Sequence, residues 1–181
     1  MVTKDDNELV FEALHGSKSS FEALIERYQK KIYGMILQMT GDSEMAKDLT
    51  QDVFVKVWVN LVKFNFKYRF FSWLYRIALN ETMNSLKNLK RFESLDKAVN
   101  LAAGDTVQPD KGLETIRLNQ AVRNLKTSQR SLILLKYYFG LSCLEIAEVM
   151  EISEKKVKDR LFNARLALRD ALKDNRFFDH D

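Results

Sequence analysis

Cysteine is almost absent from this chain: Cys143 stands alone among 181 residues. One thiol cannot form an internal disulfide, and it cannot build a cysteine-based zinc site. Histidine is nearly as scarce. His15 and His180 lie far apart and read as surface residues rather than metal ligands. No apolar run approaches the ~20 residues that a bilayer span requires. The N-terminal stretch MVTKDDNELV is acidic and lacks the apolar core of a secretion signal. These absences lead to the expectation of a cytoplasmic protein without membrane insertion. Glycine is sparse too: six scattered residues build no phosphate cradle, and no catalytic constellation appears. Neither an enzyme nor a cofactor is expected.

Proline occurs once, at Pro109, within NLAAGDTVQPDKG. That region alone lacks helical periodicity over any length, so residues 92–112 are read as a linker. The rest is periodic and helix-permissive, with few strand-like alternations. The fold class is therefore all-α: two small helical domains, residues 1–91 and 113–181, joined by a flexible linker. Helices are expected near 5–14, 18–39, 42–62 and 70–90, then near 113–124, 128–139, 142–150 and 153–173.

Charge is distributed unevenly along this plan. Residues 1–91 carry 14 basic and 11 acidic residues, and residues 113–173 carry 12 and 7. The linker carries 2 and 4, a net of −2. Two basic blocks around an acidic tether suggest polyanion binding at two places, although solvated surfaces would give the same counts.

Three stretches carry more specific signals. In DSEMAKDLTQDVFVKVWVNLV, residues 42–62, Ala46, Leu49, Val53, Val57 and Leu61 share one helical face. Val55, Trp58, Val59 and Val62 lie roughly opposite, with Asp48, Gln51 and Asp52. Either this helix is buried all round, or its second face docks a partner whose basic groups meet the acids. In FNFKYRFFSWLYRIALN, seven aromatic residues run from Phe64 to Tyr75, with Lys67 and Arg69 among them and Arg76 directly after. Rings interleaved with cations either pack a core or stack on unpaired bases while the cations hold phosphates. Trp73, Leu74 and Ile77 recur at helical spacing and are expected in the core.

The third stretch is GLSCLEIAEVMEISEKKVKDRLFNARLALRD. Ser142 and Glu145 have capping-box spacing, Glu151-Ile152-Ser153 reads as a turn, and Ser153 caps a second helix. Ile146, Ala147 and Met150 face inward on the first helix, and Val157, Leu161, Ala164 and Leu168 on the second. Lys155, Lys156, Lys158, Asp159, Phe162 and Asn163 occupy the outer side and flanks. This is helix-turn-helix spacing, whose second helix can enter a DNA major groove.

Over roughly residues 8–173 the sequence resembles the extracytoplasmic-function (ECF) type of sigma-70 family RNA polymerase sigma factors. The resemblance rests on FEALIERYQKKIY, AKDLTQDVFVKVW, FFSWLYRIALN and the helix-turn-helix run, in that order and at that spacing. It implies a protein that binds core RNA polymerase and directs promoter-specific initiation, with an anti-sigma factor as a further partner. It implies that Asp48, Gln51, Asp52, Val55 and Val59 dock on the clamp helices of core polymerase. Asn65, Phe66, Lys67, Tyr68 and Arg69 would meet extruded bases of the single-stranded −10 element, with Asn80, Lys87, Lys90 and Arg91 as strand contacts. Lys155, Lys156, Lys158, Asp159, Phe162 and Asn163 would read the duplex −35 element. The acidic linker would thread the polymerase's RNA channel.

The sequence departs from the family pattern at several positions. Asn84 and Lys87 stand where aspartate and arginine are usual, and Lys126 where a proline commonly follows the leucine. Glu151 replaces a turn glycine, and Asp159 and Asn163 replace serine and arginine. Two other readings use the same residues: a free-standing helix-turn-helix regulator that binds duplex DNA alone, and an RNA-binding adaptor that uses the aromatic stretch.

Overall fold

The computed structural model describes residues 4–95 and 113–173. The chain folds as two compact units. Among the described residues there are eight α-helices and no strand.

The first unit holds α1 (Asp6–Leu14), α2 (Lys18–Thr40), α3 (Ser43–Asn60) and α4 (Phe70–Leu95), with a 3-10 turn at Leu61–Lys63. Local chemistry sets the breaks. The α1 start is a capping box, in which the Glu8 amide donates to Asp5 at 2.8 Å and the Asp5 amide donates to Glu8 at 2.9 Å. Gly41 ends α2 at φ 78, a left-handed conformation that glycine adopts without a Cβ penalty. Asp42 then opens α3, accepting from the Glu44 and Met45 amides at 2.9 and 3.0 Å. The α2 helix packs against α1, α3 and α4. Its buried stripe is Phe21, Leu24, Tyr28, Ile32, Met35, Ile36 and Met39. Asp6 fastens α1 to α2, accepting from Arg27 and from the Tyr28 hydroxyl at 2.5 Å each. Burial, reinforced by Asp6, pushes the Tyr28 phenol well above its usual range, so it stays a neutral donor.

One boundary differs from expectation. The α4 helix continues through Leu95, so residues 92–95 are helical rather than linker. Phe92-Glu93-Ser94-Leu95 contains no glycine or proline, and nothing in it stops a helix already running. The acidic linker assigned to 92–112 otherwise lies outside the described residues.

The second unit holds α5 (Leu113–Asn124), α6 (Thr127–Ile133), α7 (Cys143–Met150) and α8 (Glu154–Lys173). After α6 the chain continues as one π-helical turn, Leu134–Tyr138, where a single longer helix was expected. The α8 helix packs against α5, α6 and α7, burying Val157, Leu161 and Ala164. Leu168 is only half-buried. Lys126 holds φ −53 and ψ 140, close to the φ a proline would impose. At this residue, departure from the family residue leaves φ within proline's range.

Glu151 is the one non-glycine residue at positive φ among the described residues, at φ 53 and ψ 42. The helix end is still satisfied: the Ile152 amide reaches Ala147 O at 3.1 Å, and the Glu151 amide makes the αL-cap bond to the same carbonyl. A left-handed L-residue costs about 1 kcal/mol relative to glycine. Glu151→Gly is expected to stabilise the second unit by about that amount, raising the urea midpoint of its transition. A lowered midpoint would show that the Glu151 side chain offsets the backbone strain.

Candidate polymerase and nucleic-acid interfaces

The α3 helix is anchored on one side only. Ala46, Val53, Phe54 and Val57 are buried, as is Leu61 in the turn that follows, while Leu49 is half-buried. On the other side Val55, Val59 and Val62 are 62%, 67% and 77% exposed. Asp48, Gln51 and Asp52 are exposed beside them, so burial all round is excluded. Trp58 is partly covered, its ring lying 4.8 Å from that of Phe21. Lys56 reaches across to Glu81 of α4 at 2.5 Å, closing one flank of the face.

The aromatic stretch divides into two populations. Phe64 and Phe70 are buried, with ring centroids 5.8 Å apart, and Trp73 leans on both. Leu74 is fully buried, as expected, but Trp73 and Ile77 are only half-buried. Their stripe turns partly out of the core because Tyr75, Ala78 and Leu79 take the inward positions. The loop between Phe64 and Phe70 keeps its rings outside: Phe66 is 44% and Tyr68 51% exposed. Asn65 shapes this loop, accepting from the Lys67 amide through its side chain and from the Tyr68 amide through its carbonyl, both at 3.0 Å. Phe66 is steadied edge-on against Phe64 at 5.1 Å. Lys67 and Arg69 are exposed, and the Arg69 guanidinium lies 5.8 Å from the Phe71 ring centre. The loop thus presents two rings and two cations on a fixed base.

Along α4, Asn80, Asn84 and Lys87 are exposed at spacings that keep them on one helical face. Lys90 and Arg91 belong to the same helix, and Arg91 continues that spacing.

In the second unit the capping box forms: the Glu145 amide donates to Ser142 at 3.2 Å and the Ser142 amide to Glu145 at 2.7 Å. Ser153 caps α8 weakly, accepting from the Lys156 amide at 3.4 Å. Ile146, Ala147 and Val149 are buried on α7, whereas Met150 and the turn residue Ile152 are half-buried. Val149 takes an inward position that the expected stripe of Ile146, Ala147 and Met150 did not include. On α8, Lys155, Lys156, Lys158, Asp159 and Asn163 are exposed, with Phe162 at 56%. Lys158 is not an independent cation. Its ammonium lies 2.7 Å from Glu154 Oε1, and that hydrogen bond and charge hold it above the usual lysine range. Asp159, by contrast, makes no ion pair among the described residues.

No group of acids, histidines and cysteine that could hold a metal occurs among the described residues, and none of their helices is long and apolar enough to cross a membrane. Fold and surface together define a two-domain helical protein whose second domain is a helix-turn-helix. Two family models match it: "Sigma-70 region 2" over residues 24–92, and "Sigma-70, region 4" over residues 115–168. The chain is 32% identical over 172 residues to the ECF RNA polymerase sigma factor SigW of Bacillus subtilis, covering 88% of this chain and 92% of that one. It is 31% identical over 187 residues to the RNA polymerase sigma-H factor of Pseudomonas aeruginosa, covering 95% and 96%. The solved structure of CnrH, in complex with the cytosolic domain of CnrY, matches at TM-score 0.73 and 27% identity, over 94% of this chain and 98% of that one. The sigma factor RpoE of Bartonella quintana, in complex with the anti-sigma factor NepR, shares the fold at TM-score 0.71 and 23% identity, over 86% and 98%. The chain belongs to the sigma-70 family, as an ECF sigma factor that binds core RNA polymerase and directs promoter-specific initiation.

Proposed function

We propose that three surfaces divide this work. Asp48, Gln51, Asp52, Val55 and Val59 of α3 dock on core polymerase. Asn65, Phe66, Lys67, Tyr68 and Arg69 capture bases of the melted −10 element, with Asn80, Lys87, Lys90 and Arg91 holding the strand. Lys155, Lys156, Lys158, Asp159, Phe162 and Asn163 read the −35 duplex. The observation that carries this reading is the loop between Phe64 and Phe70, which buries its flanking rings and exposes Phe66 and Tyr68 beside cations. Opening a duplex costs a few kcal/mol per flipped base, and stacking on exposed rings offsets it. The protein acts in the cytoplasm without chemistry of its own. An anti-sigma factor covers it when it is idle, as NepR binds the Bartonella quintana protein.

The −35 reading is tested with two variants of α8 in reconstituted holoenzyme on a promoter library. Lys155→Ala is expected to weaken all sequences alike and to lower the salt slope by about 1, as loss of one phosphate contact does. Asp159→Ser is expected to shift base preference at one or two adjacent positions, with total affinity little changed or raised. An aspartate can accept from cytosine N4, and this one has no lysine partner on its own helix. Unchanged base preference would leave Asp159 as helix surface.

A further inference from the structure

We infer that Glu154 is a specificity-determining residue of the −35 reader that acts through Lys158; this rests on the assignment of α8 as that reader. Glu154 lies in the first turn of α8, where a carboxylate is favoured by the helix dipole. Lys158 follows one turn later, and helical side chains lean toward the N-terminus, so its stem runs back over that turn. The two meet at 2.7 Å with the lysine side chain 62% and the glutamate 44% exposed, and the glutamate precedes the lysine, the favoured order. The N-terminal part of a recognition helix is the part that meets base edges. The pair therefore stands at the groove surface.

This geometry changes what Lys158 brings to DNA. A free lysine binds any phosphate it can reach, whatever the sequence. Paired with Glu154, it arrives as part of a neutral unit that releases no counterion on balance. Its ammonium is held over the first turn of the helix rather than swinging to the backbone. A guanine edge offers two acceptors, O6 and N7, and draws the ammonium away from an exposed pair. A single sequence-blind phosphate gains less and leaves the Glu154 carboxylate facing other phosphates. Glu154 thus lowers binding to wrong sequences more than binding to the right one.

The test uses full-length protein in reconstituted holoenzyme. The templates are promoters selected from a randomised −35 library, and the same promoters with the −35 bases scrambled. Glu154→Gln is expected to raise affinity for scrambled promoters several-fold, with the salt slope steeper by about 0.9, which is roughly a threefold larger loss between 50 and 200 mM salt. The selected-to-scrambled ratio falls, and preference flattens at the base read by Lys158. In a Lys158→Ala background the same substitution leaves base preference unchanged, because Glu154 acts only through the lysine. Glu154→Asp keeps the charge and therefore the wild-type salt slope. If Glu154→Gln raises affinity with base preference intact, the carboxylate only repels phosphate and the inference is overturned. If it shifts preference equally without Lys158, Glu154 touches a base itself, which also overturns it. Wild-type holoenzyme that fails to distinguish selected from scrambled elements removes the −35 assignment and the inference together.

Discussion

Core-polymerase binding is expected to be lost when Asp48→Lys and Gln51→Lys are combined, with helical content unchanged. Both side chains are exposed on α3, and the helix is held by its other face through Ala46, Val53, Phe54 and Val57. The substitutions therefore touch docking without touching packing. They shift the charge of this face by +3, adding two cations and removing one acid, where acids are proposed to meet basic groups. Like-charge contacts across an interface cost several kcal/mol, and about 3 kcal/mol lowers affinity roughly a hundredfold. Exposed Val55 and Val59 would remain, but an apolar stripe whose rim repels the partner cannot seat. Co-purification with core enzyme, alongside circular dichroism, reads both halves of the expectation. A folded double variant that still binds polymerase at wild-type affinity would sink the docking assignment.

Promoter opening is expected to fail when Phe66→Ala and Tyr68→Ala are combined, while core binding persists. Each ring stacked on a base contributes about 1–3 kcal/mol, so losing both weakens capture at least ~30-fold. The variants leave the loop's base intact, because Phe64 and Phe70 form the buried layer beneath it and Asn65 sets the turn. Phe66 gives up its edge contact with Phe64, so thermal unfolding must accompany the assay. Permanganate reactivity of unpaired thymines reports opening directly. Wild-type reactivity in the double variant would return these rings to ordinary surface.

Much of the helix plan was legible because its punctuation is chemical. Gly41-Asp42 supplies a left-handed stop and a cap in succession, and Ser142 with Glu145 announces α7 by spacing alone. The second face of α3 was legible for the same reason, since periodicity places Val55 and Val59 opposite Val53 and Val57. How far a helix is rotated in its domain was not legible. Trp73 and Ile77 carry the hydrophobic period, yet neighbours compete for the inward positions and leave both half-buried. The stack of Trp58 on Phe21 joins residues of different helices, and no local pattern encodes it. The α8 ion pair was legible in principle. Spacing offers Glu154 to Lys158 and equally Lys155 to Asp159. An acid one turn before a base is the better order, because it also complements the helix dipole, and that pair forms.

Transcription from a defined start site is the decisive measurement of promoter-specific initiation by this chain. The full-length chain and core polymerase are mixed with a template library, and run-off products are sequenced. Discrete start sites that require both components are expected downstream of shared −35 and −10 elements, while the chain alone binds those duplexes poorly at physiological salt. Tight sequence-specific binding by the chain alone, with no transcripts when polymerase is added, would contradict this expectation.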